Sequence, residues 1–250
     1  MGLSAVALDI FIVCSTIGLG LLVGKWLNMD KETTLLTSSG SAICGAAAVL
    51  GAEATLKSEA YKTAVAVSTV VLFGTLSMFL YPVLYRNGFF PLSLHEMGLY
   101  TGSTVHEVAH VVGASNAMGK EVAEVAVIVK MIRFILLVPV LLVFSWSARS
   151  RSESVAPDQH RLVVPWFALL FLLAIALNTL LSLSPAVTEP IKTVDNFATM
   201  AMTALGCETT IDKFRQAGWR PFVLALVLYL WLVFGGLLAV KALSWGGLIA

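Results

Sequence analysis

Between Leu35 and Glu53 the chain reads LLTSSGSAICGAAAVLGAE, apolar enough to enter a bilayer yet crowded with Ser38, Ser39, Gly40, Ser41, Gly45 and Gly51. Lipid-facing helices are built from Leu, Val and Phe; small residues gather where backbones approach closely or a helix breaks. A second stretch of this kind, Asn196–Thr210 (NFATMAMTALGCETT), lies in the other half of the chain. Two weakly polar, Gly-interrupted apolar segments in corresponding halves of a membrane chain point to a binding site near the bilayer midplane. Close helix packing without a ligand explains either stretch alone; the matched pair favours a site.

The rest of the chain places these stretches in a membrane. Hydrophobic residues make up 58% and charged residues 12%, and mean hydropathy is +0.88. A soluble domain carries roughly a quarter charged residues, so the chain is an integral membrane protein. A net charge of +1 without any long basic run excludes a nucleic-acid partner. Cys14, Cys44 and Cys207 all sit inside apolar segments and read as small packing residues, not as a disulfide framework. The N-terminus has no basic region ahead of its first apolar run, so no cleavable signal peptide is expected.

In order, the expected segments are a span at Ala5–Trp26, the small-residue stretch ending near Lys57, and a span at Thr63–Tyr85. A shorter, more polar segment follows at His95–Ser115, then a long one at Glu121–Trp146 and a hydrophilic loop at Ser147–Arg161. Val163–Leu183, the second small-residue stretch and Pro221–Leu243 complete about eight membrane segments. The order span, small-residue segment, span recurs at a nearly constant offset, since Ala5 to Val163 and Lys62 to Arg220 are equally spaced. Residues 1–91 would then form a first, incomplete repeat of three segments, and 92–250 a second of five. If every segment crosses, Lys25, Lys31, Arg86, Arg149, Arg151, Arg161, Lys213, Arg215 and Arg220 share one face. Lys57, Lys62, Lys120, Lys192 and Lys241 share the other. The larger group is expected in the cytoplasm, with both termini outside.

Lys130 and Arg133 lead the candidate site residues. The apolar part that follows them, Phe134–Phe144, is about 11 residues, too short for a roughly 30 Å core. The helix that crosses therefore carries both cations into the membrane, at about 2.5–3.5 kcal/mol each on insertion scales. Three positions apart, they share one face. As glue they would pair with Glu121, Glu124 or Asp9; as a site they would line an anion route. Ser38, Ser39, Ser41, Thr199 and Thr203 add hydroxyl donors, and a broken helix adds free N–H groups at a dipole end that favours anions. His106-Glu107-Val108-Ala109-His110 is an HExxH string. On a helix it would hold zinc between two imidazoles with Glu107 as base, as intramembrane proteases do. A third ligand is missing, so no metal is expected. A polar stripe facing water, with His106 relaying protons, is the alternative.

Four stretches in this order resemble the YeiH-like family of bacterial inner-membrane proteins, named as sulfate exporters: SGSAICGAAAVLGA (Ser39–Ala52), STVHEVAHVVGAS (Ser103–Ser115), VAVIVKMIRFILLVPVLL (Val125–Leu142) and TMAMTALGCETTIDKFRQAGWRP (Thr199–Pro221). The resemblance covers essentially the whole chain. It implies an inverted-repeat transporter fold with two crossing discontinuous helices, and motif positions at Cys44, Gly45, His106, Lys130, Arg133 and Gly206. His110 stands where the family usually has Gln, which weakens the zinc reading. The chain begins where the family's third span is expected, so the resemblance implies two further spans of the first repeat that this sequence does not contain.

The sequence thus predicts an all-α polytopic protein of the inner membrane, not an enzyme, that carries a small sulfate-like anion by secondary transport. An HExxH zinc protease and a non-transporting structural membrane protein are the alternatives. Expected partners are the anion, the lipid bilayer, a coupling proton or sodium ion and a second copy of the chain; no cofactor is expected.

Overall fold

A computed structural model describes residues 2–149 and 218–246, together with Leu170, Leu173 and Leu177. The second small-residue stretch, with Thr199, Thr203 and Gly206, and most of the Val163–Leu183 span lie outside the described residues. Ten α-helices follow in order among those described: α1 (Gly2–Trp26), α2 (Lys31–Ala42), α3 (Ala46–Leu56), α4 (Ala60–Arg86), α5 (Leu94–Thr104), α6 (Val108–Met118), α7 (Lys120–Ile135), α8 (Leu137–Arg149), α9 (Arg220–Leu230) and α10 (Gly236–Trp245).

Among the described residues, four units are long and apolar enough to span a bilayer: Ser4–Trp26 of α1, Ala60–Arg86 (α4), Lys120–Trp146 of α7 with α8, and Arg220–Trp245 (α9 with α10), at 23, 27, 27 and 26 residues. At about 1.5 Å per residue each exceeds the roughly 30 Å hydrocarbon core. Large apolar side chains such as Phe11, Leu22, Phe79 and Leu238 are exposed along these units, as lipid contact requires. Trp26, Trp146, Trp219 and Trp245 are exposed near the ends of α1, α8, α9 and α10, where indole rings anchor at the headgroup level. The chain is therefore an all-helical, multi-pass membrane protein.

Both composite spans bend for identifiable reasons. Pro139 cannot donate to the carbonyl of Ile135 and its ring crowds it, so the backbone turns at Leu136 between α7 and α8. Between α9 and α10 a π-turn at Trp231–Gly235 inserts an extra residue. Tyr100 of α5 donates its hydroxyl to the carbonyl of Val233 there at 2.9 Å, giving a carbonyl of the wider turn a side-chain partner.

The remaining four helices pair into two hairpins, and here the topology departs from the sequence-based expectation. Asp30 caps α2 through the N–H of Thr33, and Lys57 closes α3 in a left-handed conformation. Lys62, just beyond α3, bonds Glu32 at 2.8 Å and lies 3.6 Å from Asp30. The two ends of the α2–α3 segment therefore sit together. Gly40 packs on Val49, as two antiparallel halves would place them. The segment enters from the Lys31 face, breaks at Ile43–Gly45 and returns to the same face. Lys57 and Lys62 thus belong with Lys25 and Lys31, not opposite them.

The segment expected at His95–Ser115 behaves in the same way from the other side. Ser93 and Glu96 form a capping box at the start of α5, the helix breaks at Val105–Glu107, and α6 runs back. Gly98 and Gly102 lie against Val122–Val129 in register, so α5 runs parallel to α7. Gly74 and Met78 of α4 meet His110 and Gly113 of α6, and Arg86 donates to the carbonyl of Ala117 at 2.7 Å. The α6 terminus and Arg86 therefore share the Lys120 face, which corrects the grouping of Arg86 with Lys25. Each hairpin half is 11 or 12 residues, about 16–18 Å, or half the core.

Small residues dock both hairpins. Gly20 and Gly24 of α1 give the space filled by Ser38 and Thr34, while Gly98 and Gly102 of α5 lie directly on the α7 backbone and valines. These are two Gly-x-x-x-Gly pairs, the spacing that lets membrane helices approach closely.

Candidate functional site

The two hairpin tips meet, and each break leaves backbone groups that a hydrocarbon core cannot satisfy. Lys130 donates to the carbonyls of Ile43 at 2.8 Å and Val105 at 2.6 Å, one from each tip. Arg133, one turn along α7, donates its Nε to the carbonyl of Ala42 at 2.6 Å. These carbonyls are the negative ends of the α2 and α5 dipoles, where cations are favoured. On the opposite pole, Glu107 reaches from the second tip and accepts the N–H of Ala46, at the start of α3, at 3.0 Å. The breaks are thus bridged by three charged side chains, each matched in sign to the helix end it meets.

Local sequence explains the first break. Gly45 has φ +78 and ψ −134, a conformation reserved for glycine, and a Cβ there would run into the Glu107 side chain. The second break has no glycine or proline; it falls at the β-branched pair Thr104-Val105, which disfavours helix modestly.

Burial is complete where it matters. Lys130, Arg133 and Asp9 are each 0% exposed. Asp9, from α1, lies within electrostatic reach of both cations but, among the described residues, accepts no hydrogen bond. Arg133 Nη1 and Nη2 likewise have no partner, nor do the hydroxyls of Thr37, Ser38 and Ser41 or either ring nitrogen of His106. A buried polar atom without a partner costs about 1–3 kcal/mol, so such a collection is unusual for a purely structural core.

The sequence-derived candidates divide accordingly. Cys44 and Gly45 form the first tip, His106 the second, and Lys130 and Arg133 join them. Ser38 and Ser41 are buried with uncommitted hydroxyls, whereas Ser39 spends its hydroxyl on the carbonyl of Leu36 at 3.0 Å. Glu121 and Glu124, offered as partners of the cations, are exposed on α7; Asp9 is the acidic neighbour. An acidic residue inside an otherwise apolar span was the signal available for Asp9. Glu107 matters as the clamp on α3, a role that motif reading hid behind its place in HExxH.

That string is not a helical zinc pair, because α6 begins only at Val108. His106 faces the ring of Tyr229 at 6.3 Å, while His110 packs at Gly74 and lies 3.3 Å from the hydroxyl of Thr75. Among the described residues no three His, Cys, Asp or Glu side chains group to hold a metal ion.

A cavity of about 260 Å³ opens at the Lys31 face, lined by Asn28, Asp30, Thr33, Tyr61, Lys62 and Arg220 among others. Thr33, Thr37 and Ser41 recur every fourth residue along α2, from that cavity to the Arg133 contact.

Comparison with known proteins agrees with a membrane protein. The family model described as Conserved hypothetical protein 698 matches residues 1–225. A UPF0324 membrane protein from Bacteroides thetaiotaomicron is 57% identical over 248 residues, 98% of this chain and 74% of the relative. The chain belongs to the UPF0324 family. This is the YeiH-like family that the sequence motifs resemble. A UPF0324 membrane protein from Bordetella bronchiseptica is 50% identical over 96% of this chain and 76% of its own length. Another from Haemophilus influenzae is 40% identical over 98% and 73%. No solved structure matches the chain.

Proposed function

We propose that the chain is a secondary carrier of a small sulfate-like anion in the bacterial inner membrane. One observation carries this reading: among the described residues the buried Arg133 guanidinium is held at the hairpin tips by Nε alone, and Nη1 and Nη2 have no partner there. A planar fork with two donors is the group suited to bidentate recognition of an oxyanion, and Ser38 and Ser41, buried on the half-helix whose end Arg133 bonds, would add neutral donors. Asp9 makes the same site proton-linked, because an anion is accepted beside a carboxylate at least cost when that carboxylate is protonated.

The topology supports alternating access. A hairpin followed by a span enters from the Lys31 face (α2, α3, α4) and another from the Lys120 face (α5, α6, α7), a pairing that differs from the Ala5-to-Val163 offset read in the sequence. Two such units of opposite heading are what an inverted repeat with a midplane binding site would contain. Among the described residues, Lys25, Lys31, Lys57, Lys62 and Arg220 gather at one face against Arg86, Lys120 and Lys241 at the other, an excess that supports a cytoplasmic first face. The cavity and the hydroxyl row on α2 then form the cytoplasmic approach. The helix break inside HExxH favours this reading over proteolysis.

Reconstitution into proteoliposomes loaded with unlabelled sulfate tests it. Labelled sulfate should accumulate by exchange well above protein-free vesicles, and more strongly at acidic than at alkaline external pH. Exchange equal to empty vesicles across sulfate, sulfite and short sulfonates would leave a structural membrane protein as the better description.

A further inference from the structure

We propose that the Lys130 ammonium is a tethered substitute for a free monovalent cation, occupying a cation site formed where the two hairpin tips meet. In secondary carriers, unwound carbonyls and the C-terminal ends of half-helices are the groups that coordinate a coupling cation. Here the carbonyls of Ile43 and Val105, one from each tip, converge on a single point, and a protein nitrogen stands at that point at 2.8 and 2.6 Å. The position is fully buried. Two half-helix dipoles direct their negative ends at it, with Asp9 and Glu107 as acidic neighbours within electrostatic reach.

A side chain delivers this charge differently from a free ion. The ammonium cannot leave, so the tips stay bridged whatever the ionic composition outside. Taken with the carrier reading, on which this consequence alone rests, the transport cycle needs no sodium and any coupling falls to the proton. The site itself stands on the geometry of the carbonyls and holds even for a protein that transports nothing.

Removing the side chain should expose the site. Lys130→Ala leaves two buried carbonyls facing a space the length of a propylammonium group, while Lys130→Met fills much of that space with an uncharged thioether. Thermal unfolding in detergent would be followed in ammonium, methylammonium, potassium, sodium and choline chlorides at equal ionic strength. The midpoint of Lys130→Ala should fall by about 5–10 °C in choline, and ammonium or methylammonium should recover a substantial part of the loss. Lys130→Met should gain nothing from either ion, and the wild type should unfold at one temperature in all five salts. Equal behaviour of Lys130→Ala in ammonium and choline overturns the proposal. So does a sodium-specific stabilisation of the wild type, a result that can be obtained even should Lys130→Ala fail to fold. None of these readings involves flux, so a failed transport assay and a failed cation site remain distinct outcomes.

Discussion

Sulfate exchange is expected to vanish in Arg133→Met and to stay absent when Asp9→Asn is added, although the second change returns the stability that the first removes. The two effects have separate causes. Methionine fills much of the arginine's volume but presents no donor, so the anion loses a charge-assisted fork at a desolvated site. Truncating one side of such a contact costs about 2–5 kcal/mol, or on the order of 100-fold in affinity. Stability falls because Asp9, fully buried, is left with one nearby cation in place of two, and a buried charge that loses compensation is destabilising. Asp9→Asn removes the uncompensated charge and should recover most of that loss. Arg133→Lys keeps the charge without the fork and should fall between wild type and Arg133→Met in exchange rate. Were the cations mere structural glue, the repaired double variant would exchange sulfate, or lose nothing that the wild type possessed.

Gly45→Ala should give the largest loss of folded protein among single methyl additions. The position is held at φ +78 and ψ −134, which costs an L residue about 1–3 kcal/mol. The added methyl also meets the Glu107 side chain and must push it from the N–H of Ala46. A buried N–H left alone costs a further 1–3 kcal/mol or thereabouts. Gly88→Ala is the control, since Gly88 also has positive φ, +73, but nothing lies near its absent side chain. The difference in unfolding midpoint between the two variants measures the contact at the tips. Equal midpoints would mean that Glu107 does not clamp α3.

What the sequence made legible was the chemistry of single stretches. Leu35–Glu53 was too small and too polar for a lipid-facing helix, and its break falls at Ile43–Gly45, within that stretch. The short apolar tail after Arg133 required both cations to lie deep, and both are buried. Direction was not legible. Lys31–Leu56 has the length and hydropathy of a crossing whether it passes through or turns back, because hydropathy counts residues and ignores heading. The flanking charges held the answer: Asp30, Glu32 and Glu59 collect around Lys62, which only a returning segment allows. The second break was concealed for another reason. Val105–Glu107 contains no Gly or Pro, and helix propensity gives no warning when tertiary contacts, here the Lys130 bond to Val105, satisfy the backbone of a break. The Gly-x-x-x-Gly pairs at Gly20/Gly24 and Gly98/Gly102 were readable, and they marked where the ingoing half of each hairpin docks.

The most direct test of two hairpins entering from opposite faces is sidedness. In a variant with Cys14, Cys44 and Cys207 replaced, single cysteines at Lys31, Lys57, Asn87, Ser93 and Gly119 would be labelled with a membrane-impermeant maleimide in right-side-out and inverted vesicles. Lys31→Cys and Lys57→Cys should label from one face, and Asn87→Cys, Ser93→Cys and Gly119→Cys from the other. Labelling of positions 31 and 57 from opposite faces, or of 93 and 119 from opposite faces, would make those segments ordinary crossings and contradict the meeting of the tips.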